Sequence, residues 1–169
     1  MDTQHFSSIV TLNEMNLRFA AVAGHNDQLS GVLTIHMVCE KIIDLWIEAA
    51  THNANFFNNV GNINFSNKLQ IAKNFSLPET PYRFMKTLNT IRNKFAHQID
   101  KVSMTDEEVD SLYSSLSSYL EKRPEYDPKK MNVLCNGKQF PYNHSNNVKL
   151  NGMFYCVYLS SLEGAGLIK

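Results

Sequence analysis

Thr80 to His97 reads TPYRFMKTLNTIRNKFAH. At 100° per residue, Phe84, Leu88, Ile91 and Phe95 fall within about 60° of one another and form one apolar stripe. Lys86, Asn89, Asn93 and His97 gather on the opposite face, and Arg92 stands at the border between the two. Thr80, with Pro81 at the first helical position, opens this helix. An apolar stripe of this kind must be buried against other elements, and the flanking sequence supplies them.

Upstream, Gln28 to Thr51 carries Leu29, Leu33, Val38, Ile42, Leu45 and Trp46 at helical spacing, with Ile35, Met37, Ile43 and Ile47 filling in. That density predicts a central helix packed on more than one side. A shorter helix is expected before it, through Leu12, Met15, Phe19 and Val22 to Gly24. Residues 53–67 hold seven Asn around Gly61, a loop composition. Ser66 or Asn67 then caps a short helix running to Phe75, which Leu77-Pro78 closes. Downstream, Thr105-Asp-Glu-Glu108 is a capping box that introduces a helix through Val109, Leu112, Leu116, Tyr119 and Leu120, ended by Pro124 and Pro128. Its serines, Ser111 to Ser118, read as an exposed face. Asn136-Gly137 marks the turn of a short hairpin from Val133 to Phe140, and Val148 to Leu162 predicts a final helix, with a strand as the alternative. The expected architecture is all-α: an up-and-down bundle of four to five helices over residues 1–125 and a C-terminal extension, 126–169, packed on the bundle or on a dimer partner.

With 169 residues and 43% hydrophobic content, the chain can bury a core without disulfides, so Cys39, Cys135 and Cys156 are expected to be buried, idle thiols. The opening MDTQHFSSIV has no basic and then apolar leader, and no long apolar run follows, which predicts a cytoplasmic protein outside the membrane. Sixteen basic residues balance sixteen acidic ones, which argues against a broad nucleic-acid-binding coat. The zero is nevertheless a sum of blocks. Residues 1–50 are acidic and residues 102–127 are acidic again. Between them, residues 66–101 carry Lys68, Lys73, Arg83, Lys86, Arg92, Lys94 and Lys101 against only Glu79 and Asp100. That basic block is the candidate anion site, and it contains the helix quoted first.

No phosphate-binding loop, dinucleotide fingerprint, nucleophile elbow or zincin motif is present. His36 and Glu40 lie one helical turn apart, but two ligands are too few for a metal, and they read as a satisfied polar pair on a buried helix. No metal and no cofactor are expected.

The segment Arg92-Asn-Lys-Phe-Ala-His97 resembles the R-x4-6-H motif of the HEPN superfamily, the higher eukaryotes and prokaryotes nucleotide-binding domains. HMVCEKIIDLWI, SNKLQIAKNF and TDEEVDSL also look like the branch typified by the mannitol-operon repressor, MltR, so the likeness covers roughly residues 28–120. The resemblance implies an all-α homodimer with two facing motifs and, in many members, a metal-independent endoribonuclease that serves as a toxin or defence effector. Carried over, Arg92 and His97 form the catalytic pair and Asn93 the supporting polar residue. Lys86, Asn89 and Lys94, on the same helix, are the expected RNA contacts. The residue types suit that chemistry. RNA brings its own nucleophile, the 2′-hydroxyl; an imidazole can take its proton and a guanidinium fork can hold the phosphate oxygens. Arg92 and His97 point about 140° apart on an ideal helix. Either the guanidinium swings toward the polar face, or a second copy of the helix completes the site.

Two departures bear on the implied roles. Gln98-Ile99 stand where related toxins carry a nucleotidylated Tyr, so that mode of control has no support. The MltR-like branch is tied by name to transcriptional repression, yet no helix-turn-helix with a basic recognition helix occurs here. The alternative to an RNA-cleaving enzyme is therefore a non-catalytic regulator acting through a protein partner. An antitoxin or other regulatory protein is the further partner to expect.

Overall fold

The computed structural model describes residues 6–7, 21–24, 26–58 and 60–168, in which six α-helices and one two-stranded hairpin occur. In chain order these are α1 (Gln28–Thr51), α2 (Phe65–Asn74), α3 (Glu79–His97), α4 (Asp106–Ser114), α5 (Ser117–Leu120), β1 (Asn132–Cys135), β2 (Lys138–Pro141) and α6 (Asn146–Gly164). The chain is all-α, with the hairpin a minor addition. Most of the first expected helix, Leu12 to Val22, lies outside the described residues; Val22 and Phe6 are buried, the latter edge-on to Trp46.

Helix α1 begins where Asp27 accepts hydrogen bonds from the Leu29 and Ser30 amides, and it stops at His52, whose φ of 55° is left-handed. Its buried positions sweep about 200° of its circumference, so it is packed on several sides, as its density of apolar residues predicts. Helix α2 starts earlier than the Ser66 or Asn67 cap expected. Asn64 caps it instead, accepting from the Asn67 amide, because Phe65 is drawn in against α1 as the first helical residue. Helix α3 likewise starts two residues early, at Glu79 rather than the expected Pro81. Thr80 does not cap it, since its buried hydroxyl bonds Ser118 instead. The stripe Phe84, Leu88, Ile91 and Phe95 is buried as the periodicity requires.

The helix expected from Val109 to Leu120 is broken in two. Hydroxyls of Ser111, Ser114 and Ser115 bond back to the carbonyls of Glu107, Ser111 and Leu112 and so compete with the helical ladder. The Ser-rich stretch is thus not wholly an exposed face: Ser115 is buried and Ser118 reaches Thr80. The hairpin forms where expected, and Asn136 and Gly137 both have positive φ (50° and 75°), as a two-residue primed turn requires.

The C-terminal segment forms a helix, and α6 is central to the fold. Fourteen of its nineteen residues are buried, and it packs on α1, α3 and α4, so one core holds both parts of the chain. At the crossing with α1, Gly31 leaves no room for a Cβ, which would collide with the Asn147 amide.

Glu108 joins three pieces of this frame. Buried at the start of α4, it closes the capping box with Thr105 and accepts from Lys94 (2.9 Å) on α3 and from Lys101 (2.8 Å) in the connecting loop. Burial works against the carboxylate, but the two ammonium groups and the Thr105 amide outweigh it and hold its pKa below the usual 4.5. That contribution to stability is present above pH 4.5 and is lost as the pH falls below it. In urea unfolding at pH 7, Glu108→Gln is expected to cost about 1–3 kcal/mol, with the gap from wild type narrowing on acidification toward pH 3.

Candidate functional site

Helices α1 and α3 run antiparallel. Trp46 near the end of α1 donates to the Phe75 carbonyl just before α3, His36 meets Asn89 midway along, and Gln28 at the start of α1 accepts from the Met104 amide beyond the end of α3. Helix α2, only ten residues long, lies against the later part of α1: Phe65 stacks on His36, and Lys68 pairs with Glu40 and Asp44. It does not reach the first turns of α1. There Leu29, Leu33 and Met37, spaced by four, stay exposed at 37%, 36% and 64%. Antiparallel packing sets this uncovered stripe on the level of the last turns of α3, which carry Arg92, Asn93 and His97.

Arg92 is half-buried and turned onto its neighbour, donating from Nη1 to Asn93 Oδ1 at 3.1 Å. The guanidinium thus swings toward the polar face, which the border position of Arg92 permits. Its Nε is buried with no hydrogen-bond partner, and no carboxylate pairs with it, among the described residues. His97, the last residue of α3, is exposed and makes no hydrogen bond to a described residue. The structure therefore joins Arg92 to Asn93 by a hydrogen bond and joins His97 to neither, one turn further along the helix.

The expected RNA contacts separate. Lys86 is exposed, its Nζ 6.0 Å from the Tyr82 ring centroid. Lys94 turns toward α4 to meet Glu108, about 200° around the helix from Arg92. Asn89 is half-buried and bridges α1 and α2: its Oδ1 lies 3.0 Å from His36 Nε2, and its Nδ2 donates to Ser66 Oγ at 3.2 Å.

His36 reads in the sequence as half of a satisfied polar pair with Glu40, and its link to α3 is not foreseen there. It and Glu40 are both satisfied, but by Asn89 and Lys68 and not by each other. The signal was present in spacing: Leu29, Leu33, His36 and Glu40 share one face of α1, where polar and apolar residues mix. Burial depresses the His36 pKa below the usual 6.5, and the Arg92 charge pushes the same way. The Asn89 hydrogen bond and Glu40 oppose them without prevailing.

The basic block also resolves on folding. Lys68 pairs with Glu40 and Asp44, Lys73 with Glu79, and both Lys94 and Lys101 with Glu108. Arg83, Lys86 and Arg92, all on α3, are its cations with no carboxylate partner among the described residues. Cys39, Cys135 and Cys156 are free and buried, and burial pushes the Cys156 thiol up to about 12. Among the described residues no three His, Cys, Asp or Glu side chains are grouped to hold a metal ion, and no helix is long and apolar enough to cross a membrane.

Comparison with protein-family models, curated proteins and solved structures finds no match for this chain.

A folded state that resists protonating His36 loses stability as the pH drops below 6.5, because the unfolded chain takes up the proton more readily. Melting temperatures of wild type and His36→Gln, measured from pH 7.5 to 5, are expected to diverge below pH 6.5, with wild type falling more steeply. Parallel curves would contradict the buried neutral imidazole.

Proposed function

We propose that the chain is a HEPN-type, metal-independent endoribonuclease that acts as a homodimer, with a role as toxin or defence effector. The observation that carries this reading is the state of Arg92. Its guanidinium is braced on Asn93 and unopposed by any described carboxylate, on the same helix as a histidine that is exposed and free of described partners. Arginines that serve only structure are ordinarily held by carboxylates or carbonyls, whereas a fork held by one neutral amide keeps donors for a phosphate.

In this mechanism His97 takes the proton from a 2′-hydroxyl, and O2′ attacks the adjacent phosphorus. The P–O5′ bond breaks, the leaving oxygen takes a proton from water, and His97 returns its own proton to solvent. Arg92 stabilises the charge that builds on the non-bridging oxygens. The products are a 2′,3′-cyclic phosphate and a 5′-hydroxyl. Because the guanidinium is taken up by Asn93 and makes no bond to His97 of its own helix, Arg92 of one protomer acts with His97 of its partner. The uncovered stripe Leu29, Leu33 and Met37 beside these residues supplies an apolar surface for that pairing.

One feature favours a second reading, a non-catalytic regulator in the MltR manner: the first turn of α4 exposes Asp106 and Glu107, with Asp110 following, a compact acidic face suited to a protein partner. The two readings part in one assay. Purified dimer with RNA and EDTA is expected to yield 2′,3′-cyclic phosphate ends, and Arg92→Ala and His97→Ala each to lower the rate at least about 100-fold. Intact RNA with folded dimer, together with partner capture abolished by Glu107→Lys, would establish the regulator instead.

A further inference from the structure

His36 is the buried histidine among the described residues; His52, His97 and His144 are exposed. It sits where three helices meet. Its ring lies on Phe65 of α2, with centroids 4.1 Å apart, and its Nε2 meets Asn89 of α3 at 3.0 Å. Asn89 in turn donates through Nδ2 to Ser66 Oγ. This sets the direction of the whole relay. With the Asn89 amide nitrogen turned to Ser66, its oxygen faces His36, so the neutral imidazole carries its proton on Nε2 and donates. Ser66 Oγ accepts from Asn89, so its own O–H remains to donate, and Ser66 is exposed at the first turn of α2. The relay therefore runs from a buried imidazole to a hydroxyl donor at the surface. Asn89 Nδ2 has a second hydrogen that these bonds do not use, and Asn93 lies one turn further along α3.

We propose that His36 is a positioning residue for a second phosphate subsite, in which Ser66 and Asn89 donate to an RNA phosphate next to the one held by Arg92. This rests on the endoribonuclease reading and adds to it that the RNA is bound by at least two consecutive phosphates. The donors are neutral, so the subsite holds a phosphate by directed hydrogen bonds, and their direction is fixed from beneath by His36. Because the contact lies outside the reacting phosphate, it acts on substrate and transition state alike. Its loss raises KM and leaves kcat nearly unchanged.

The test compares wild type, His36→Gln, His36→Phe and Ser66→Ala in two assays: cleavage kinetics on a single-stranded RNA, and binding of an uncleavable 2′-O-methyl RNA of the same sequence. His36→Gln retains an amide donor toward Asn89 and is expected within about threefold of wild type in both. His36→Phe keeps the ring on Phe65 but has no donor. Its KM and oligomer Kd are expected to rise about tenfold with kcat within about twofold, the effect of one lost hydrogen bond to a charged group. Ser66→Ala, on the surface, is expected to match His36→Phe whether or not the latter folds. An unchanged KM in Ser66→Ala overturns the proposal, as does a Gln variant as impaired as the Phe variant. Oligomer binding without cleavage by wild type would refute the nuclease alone, and the Kd series would still decide the role of His36. No binding by wild type would refute both.

Discussion

Helix α3 can bury Phe84, Leu88, Ile91 and Phe95 against its neighbours in more than one register, since apolar stripes slide past each other at small cost. The bond between His36 and Asn89 removes that freedom. A slip by one turn would strand the His36 imidazole in the interior at about 1–3 kcal/mol, and would also part Asn89 from His36 and from Ser66 on α2. This part-buried polar junction thus ties three helices together at one register. With the register set, Arg92, Asn93 and His97 come to lie beyond the reach of the ten-residue α2, beside the apolar stripe that α2 leaves uncovered.

What was legible in the sequence follows from the range of the forces involved. Helices α1 and α3, the Thr105 capping box and the Asn136-Gly137 turn rest on local periodicity or on contacts three residues apart, and all of them form. The misplacements occur where a distant partner decides. Phe65 enters α2 because His36 waits for it, and Thr80 abandons its cap because Ser118 lies across the core. The break near Ser115 has a local cause, serine hydroxyls bonding back to the backbone, that apolar spacing does not register. The centrality of α6 was not legible either, because its apolar and small polar residues are spread around the helix and show no face.

The site was legible in part. The polar face of α3 could be read from spacing, and so could the freedom of Arg92 to reach Asn93. That Asn89 bonds His36 and Lys94 bonds Glu108 could not, because those partners lie 53 and 14 residues away. Charge behaves similarly. Blockwise counting located a basic segment, but folding pairs Lys68, Lys73, Lys94 and Lys101 with carboxylates and leaves Arg83, Lys86 and Arg92 on one helix. These three do not make one patch, since Arg83 and Arg92 lie nine residues apart and so about 180° from each other around the helix.

The most direct test of a site shared between two protomers is subunit mixing. Arg92→Ala and His97→Ala dimers, each inactive alone, are dissociated, mixed in equal amounts and reassociated, and RNA cleavage is measured. A composite site predicts recovery of about a quarter of wild-type activity, because half of the dimers are mixed and each mixed dimer regains one of its two sites. No recovery, with mixed dimers shown to have formed, would contradict it.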